Sequence, residues 1–260
     1  MRQYAPWLAG LLCCCGLQAQ HPTRNIDVYD GFEGPALSKA WATDRFESGA
    51  VSMESATVRS GKQAVAVTVR SHDKFEAGQR GDADSERAEL REANELISQQ
   101  GLPYEYSFSM YFPAGFPVVP VRLVIAQWKQ YCNGDGKPCS DDSPVLALRY
   151  IGGTLSVTQD IAHQHHVLYS QTDEFRGRWH DFRIRAQFTP GTTGREQVWL
   201  DGKQIVDFTG VTADSEDVAT GYANPSLFLF KMGLYRNVMQ QPMTIYIDEY
   251  RKRELRPDEF

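Results

Sequence analysis

Three short segments of the chain carry side chains suited to acid, base and charge-gripping chemistry, each at every second position. In Ser85-Glu86-Arg87-Ala88-Glu89-Leu90-Arg91-Glu92, the residues Arg87, Glu89 and Arg91 fall at i, i+2 and i+4. In Ala126-Gln127-Trp128-Lys129-Gln130, Gln127 and Lys129 alternate with Trp128. In Phe228-Leu229-Phe230-Lys231-Met232-Gly233-Leu234-Tyr235-Arg236, the residues Lys231, Gly233 and Tyr235 alternate with Phe230, Met232 and Leu234. Successive side chains of a strand point to opposite faces, so each segment predicts an apolar back and a polar front.

A solvated strand face draws mainly on small polar residues, and any one of these segments alone fits that bland description. All three together place Arg87, Arg91, Lys129 and Lys231 beside an amide, Gln127, and a phenol, Tyr235. If the strands are neighbours in one sheet, the front is a cationic, hydrogen-bonding surface for carboxylates. A phenol among cations favours the phenolate and can exchange a proton. The bland reading of Tyr235 is a half-buried sheet aromatic; Lys231 and Gly233 beside it favour the chemical one.

The histidines divide differently. His163 and His165 in Ala162-His163-Gln164-His165-His166 share a face at strand spacing, and a polar strand turned toward a substrate is expected. A metal site there lacks an acidic ligand at matching spacing. One of these histidines could serve as a base. His180 alternates with Phe182 and Ile184 and reads as a satisfied core residue, and Asp248 reads as structural.

The elements that must hold these groups are strands. From about residue 26 onward short runs at residues 64–69, 104–112, 121–128, 145–150, 154–159, 182–188, 197–200, 204–206, 227–235 and 244–250 are punctuated by Gly, Pro, Asn and Asp. The segment at 86–97 reads equally as helix or strand. Such spacing predicts an all-β fold, an antiparallel two-sheet sandwich of the jelly-roll, concanavalin-like kind. Residues 1–19 read as a signal peptide and residues 20–260 as a single domain. Secretion or export to the periplasm follows from that leader. Cys13, Cys14 and Cys15 form a poor lipid acceptor, because Gly10, Leu11 and Leu12 precede them.

Past the leader only Cys132 and Cys139 remain, and in an oxidising compartment they are expected to close a disulfide loop. The net charge of -6, with 27 Lys and Arg against 33 Asp and Glu, argues against a nucleic-acid partner. No run past the leader is long enough to span a membrane. A polyanion must therefore be met by a local cluster of cations. A monomer without a cofactor is expected, with a structural calcium left open.

The three motifs, in this order, resemble the signature strands of the jelly-roll alginate lyases of family seven. The surroundings Ala126-Gln127-Trp128 and Gly233-Leu234-Tyr235-Arg236 are closer still to heparin-lyase-like and glucuronan-lyase-like proteins. The likeness runs from about Asp30 to Glu254. It implies an enzyme that cleaves an anionic uronic-acid polysaccharide by β-elimination. It implies that Tyr235 is catalytic, that Arg87 and Gln127 bind the substrate carboxylate, and that Glu89, Arg91 and Lys231 line or support the site. The family pattern has His where this chain has Lys129, so Lys129 becomes either a source of charge near the reacting carboxylate or the base itself.

The chemistry asks for these residue types on its own account. The C5 proton of a uronate is weakly acidic because the adjacent carboxylate is already negative, so that charge must be neutralised before a base can act. Arg87 as a forked donor and Gln127 as an amide donor suit that task. A sandwich-fold glycoside hydrolase would need two carboxylates flanking the bond, and the acids Glu86, Glu89 and Glu92 scatter over both faces of a strand. A carbohydrate-binding module would need an exposed aromatic platform, for which Trp128, Trp179 and Trp199 are the candidates.

Overall fold

The structure is a computed structural model that describes residues 25–42, 46–73, 84–131, 143–215 and 226–260. The expected leader and the Cys132–Cys139 pair lie outside the described residues. Among the described residues no helix is long and apolar enough to cross a membrane.

Two antiparallel sheets face each other. The first has the order β14 (Lys203–Gly210), β13 (Gly194–Leu200), β12 (Arg178–Gln187), β7 (Pro103–Phe112), β16 (Met243–Glu254), β4 (Ala64–Val69) and β3 (Val51–Glu54), with β1 (Asp27–Asp30) beside β16. The second has the order β11 (Gln164–Thr172), β10 (Thr154–Ile161), β9 (Leu146–Ile151), β8 (Leu123–Tyr131), β15 (Leu227–Asn237), β5 (Ser85–Glu92) and β2 (Trp41–Ala42), with β6 (Ser98–Gln99) beside β15. Among the described strands the chain passes repeatedly from one sheet to the other, as at β4 to β5, β7 to β8, β11 to β12 and β15 to β16, and the all-β sandwich is a jelly roll. The ambiguous segment at 86–97 resolves into β5 followed by the single 3₁₀ turn Asn94–Leu96.

Aromatic side chains from both sheets fill the space between them. Tyr106 of β7 meets Trp128 of β8 at 5.3 Å between ring centroids, Trp128 meets Phe230 of β15 at 4.8 Å, and Phe230 meets Phe108 of β7 at 5.7 Å. Each ring is fully or almost fully buried. Burying Trp128 and Phe230 inward forces the alternate residues Gln127, Lys129 and Lys231 onto the opposite face of the second sheet. The core thus aims the polar front, with a driving force of about 25 cal/mol for each Å² of apolar surface removed from water.

Two cations are buried in this core as well. On the inward face of β5, Glu86 pairs with Arg236 at 2.8 Å and Glu92 pairs with Lys252 at 2.9 Å, all four side chains closed to solvent. The Tyr250 hydroxyl donates to Glu92 at 2.6 Å. Burial pushes the Glu92 carboxyl up from its ordinary value, against the pull of Lys252 and of that hydroxyl. His180 is fully buried and satisfied by Asp201 and by the Phe175 carbonyl. Asp248 accepts backbone N–H groups of Arg59, Ser60 and Glu249, a structural role.

Candidate active site

The three motif strands are adjacent in the second sheet, in the order β8, β15, β5. The register sets Lys231 opposite Arg91, Gly233 opposite Glu89 and Tyr235 opposite Arg87 on one side of β15. On the other side Lys231 faces Gln127, and Tyr235 faces Val124 after a bulge between Met232 and Tyr235. Arg87, Glu89, Arg91, Gln127, Lys231 and Tyr235 therefore share one patch of the sheet's outward face.

Gly233 decides the local shape. Its φ is +143°, and a Cβ there would lie 2.4 Å from the Ala88 carbonyl oxygen and 2.9 Å from the Glu89 Cα. Only glycine allows β15 to approach β5 so closely at the bulge. The missing side chain has a second effect. Glu89 on β5 and Gln127 on β8 flank β15, and above Gly233 the Gln127 amide donates to Glu89 Oε1 across the intervening strand. Glu89, Gln127 and Lys231 are all buried, so the floor of the patch is a packed polar layer. Glu89 Oε2 is buried without a hydrogen-bond partner among the described residues.

Tyr235 stands at one end of this layer between two guanidinium groups. The Arg87 guanidinium carbon lies 3.9 Å from the ring centroid and that of Arg122 lies 4.3 Å from it. Arg87 reaches the ring from β5 and Arg122 from the residue before β8, on opposite sides of β15. The Arg122 Nε donates to Asn237 Oδ1 at 2.8 Å, and the Asn237 N–H donates to the Arg122 carbonyl at 3.1 Å. The phenol is thereby held in place by two guanidiniums against its ring, each contact contributing roughly 0.5–2 kcal/mol. A third guanidinium follows on β9, where Arg149 pairs with Val124. Its Nε donates to Thr158 Oγ1 at 2.9 Å and its Nη2 pairs with Asp160 at 3.2 Å. Burial lowers Arg149 from its ordinary value, the neighbouring Arg122 lowers it further, and Asp160 opposes both.

The sequence profile of the polysaccharide lyases matches residues 29–251. The chain belongs to the polysaccharide lyase family. No curated protein matches it by sequence. Among solved structures it is similar to an endo-β-1,4-glucuronan lyase from the fungus Trichoderma reesei, at 19% identity and a TM-score of 0.64, over 88% of this chain and 95% of that one. It is also similar to a family-7 alginate lyase, at 14% identity and a TM-score of 0.53, over 74% of this chain and 79% of that one. A cellulose-induced protein, Cip1, shares 14% identity at a TM-score of 0.54, over 86% of this chain and 96% of that one. At such identities the likeness is one of fold.

In this lyase the other expected site residues are spread along the sheet. Lys129 lies opposite Leu229, six residues before Tyr235 on β15, which at about 3.3 Å per residue separates the two by roughly 20 Å along the strand. Antiparallel register carries it away from Arg87 and the phenol, and toward the Arg91 end of the patch. His163 does not share a strand face with His165. Ile161 pairs with Gln164, so Ala162 and His163 are the two residues of a tight hairpin turn, with φ of 52° and 60°. Positive φ at both turn residues matches the twist of the flanking strands. His165 is on the outward face, where its Nδ1 meets Asp160 at 2.7 Å, the same carboxylate that holds Arg149. Among the described residues no three His, Cys, Asp or Glu gather as a metal site.

Arg122 and Arg149 are absent from the three motifs. Arg149 had a legible signal, because it alternates with Leu148 and Tyr150, both buried. Arg122 had none, since it precedes its strand and reaches the phenol only through the bulges of β8 and β15. The rings expected for a binding module divide: Trp128 is in the core, Trp199 lies on the first sheet with Arg183 stacked 4.0 Å from its ring centroid, and Trp179 packs on that sheet against Tyr111 at 5.6 Å, none of them on the outward face that carries Tyr235.

Proposed function

We propose that this polysaccharide lyase cleaves a uronic-acid polymer by β-elimination, with Tyr235 as the proton-transfer group. The observation that carries the reading is the phenol fixed between the Arg87 and Arg122 guanidiniums at 3.9 and 4.3 Å. A phenol held there is placed to exchange a proton beside a carboxylate that Arg87 can grip. The relatives similar in fold include enzymes whose names state action on glucuronan and alginate.

The Tyr235 phenolate takes the proton from C5, the C5–H electron pair becomes the C4=C5 double bond, and the C4–O4 bond breaks. The phenol then returns the proton to O4, leaving an unsaturated sugar and a new chain end. Arg87 carries a forked donor toward the substrate carboxylate, and Gln127 retains a second amide hydrogen beside its bond to Glu89. Both stabilise the extra negative charge that develops on the carboxylate as C5 loses its proton.

A single proton-transfer group suits one stereochemistry. In β-D-glucuronate and β-D-mannuronate the C5 proton and O4 lie on the same side of the ring, and one phenol serves both. In guluronate and iduronate they lie on opposite sides, and two groups are required. With Lys129 roughly 20 Å along the strand from Tyr235 at about 3.3 Å per residue, the second group is not that lysine. The enzyme should prefer glucuronate or mannuronate polymers. Ultraviolet absorbance of the unsaturated product, followed on polyglucuronate, polymannuronate and polyguluronate, tests this; faster cleavage of polyguluronate than of both others overturns it. Hydrolysis or mere binding gives no such absorbance on any polymer.

A further inference from the structure

The outward face holds more positive charge around Tyr235 than one carboxylate needs. On the β5 side stands Arg87, with Gln127 reaching toward it over Gly233. On the β8 and β9 side stand Arg122 and Arg149, which the motifs do not contain. Arg122 makes no ion pair among the described residues; its Nε is held by Asn237 and its two terminal nitrogens have no partner there. Arg149 spends Nε on Thr158 and Nη2 on Asp160, and its Nη1 has no partner among the described residues. Asp160 in turn is shared with His165. Arg149 pairs with Val124, two residues from Arg122, so the two guanidiniums start from diagonal positions of neighbouring strands, and Asp160 lies on the far side of Arg149.

Like charges held together on a protein face are a cost unless an anion joins them. Forked guanidinium donors suit a carboxylate in particular. We propose that Arg122 and Arg149 form a second carboxylate subsite, so that the enzyme grips the uronates on both sides of the scissile bond, one on each side of Tyr235. The floor between the two supports the idea. Ser156, partly exposed, pairs with Arg149 from β10 and offers a hydroxyl for a sugar ring, while the buried Thr158 fixes the Arg149 guanidinium. The preferred substrate is then a polymer of contiguous uronates, in place of one that alternates uronate with a neutral or amino sugar. This deepens the lyase reading above and rests on it.

Calorimetric binding of saturated disaccharides tests the subsite without turnover. The probes are a β-1,4-linked diglucuronate and two analogues, each with one carboxylate reduced to the alcohol. Either reduction should weaken binding to the wild-type protein by about tenfold, the loss expected for one charge-assisted contact. In the double variant Arg122→Ala/Arg149→Lys, one of the two reductions should have no further effect, while the other keeps its full one. In turnover, Arg122→Ala should raise KM on polyglucuronate about tenfold, and Arg122→Lys should recover part of that. Circular dichroism and thermal melting of each variant establish that it folds, and Arg122, half-exposed at the sheet surface, is a mild site for the change. If both reduced disaccharides bound the wild type as well as diglucuronate did, or if the double variant still discriminated against both, the subsite would be excluded while the lyase reading stood. Absence of unsaturated product from every uronate polymer would instead overturn the lyase reading itself.

Discussion

The two sheets place arginine differently. On the outward side of the first sheet several guanidiniums meet carboxylates, Arg59 with Asp181 at 2.8 Å, Arg185 and Arg253 with Glu105 at 2.7 and 2.9 Å, and Arg251 with Asp27 at 3.0 Å, while Arg183 stacks on Trp199. On the second sheet Arg122 rests on a phenol ring and an amide oxygen, and Arg149 shares its acid with a histidine. A protein of net charge -6 has acids in excess, so the absence of an ion pair at Arg122 among the described residues is a local arrangement. Matched charge stabilises a surface modestly; the subsite proposed above assigns the less matched guanidiniums to an arriving anion.

Substitutions on the two faces and in the core between them separate these uses. The largest effect belongs to Tyr235→Phe, which removes one hydroxyl from a ring still packed by Arg87 and Arg122. It should lower kcat by about a hundredfold or more, as expected for a positioned proton-transfer group, with polymer binding nearly intact. A variant that kept more than about a tenth of the wild-type rate would take Tyr235 out of the reaction.

Next comes the buried pair. Lys252→Ala leaves Glu92 closed to solvent without its cation, and should cost about 3–5 kcal/mol of unfolding free energy in a denaturant titration. Replacing both partners by apolar residues of similar size should cost much less, because the charge left alone is the main penalty. A loss below about 1 kcal/mol from Lys252→Ala would show that the core accommodates a lone carboxyl.

The smallest effect belongs to the matched surface. Arg59 and Asp181 are 42% and 49% exposed at their side chains, so Asp181→Asn should change stability by less than about 1 kcal/mol and leave polymer cleavage unchanged. The hydrogen bond from Arg59 holds the Asp181 carboxyl below its ordinary value, with a further contribution from Ser109. A lowered carboxyl stabilises the fold above the usual carboxylate range and loses that contribution as the pH falls through the lowered value. The Asp181→Asn protein should therefore melt with a slightly shallower dependence on pH at the acid end. An equal or steeper dependence would mean that the pair contributes nothing there.

Much of this arrangement is legible in the sequence. Alternation of Phe230, Met232 and Leu234 with Lys231, Gly233 and Tyr235 states which residues face inward, because a strand has only two faces and apolar rings leave water. The same logic applied to Leu148, Arg149 and Tyr150 would have found a further cation. It could not have found Arg122, whose position depends on bulges in two strands, and it misplaced His163, because a run of polar residues does not announce where a strand ends and a two-residue turn begins.

The sequence by itself determined the face that each strand presents and the kind of chemistry that face can do, since side-chain type and the period of two are local properties. Tertiary structure decided which of those residues meet. Register placed Tyr235 opposite Arg87 and sent Lys129 six residues away along β15, and the gap at Gly233 let Gln127 reach Glu89 over an intervening strand. Pairing between strands distant in sequence is fixed by how the whole core packs, and no segment carries that information alone.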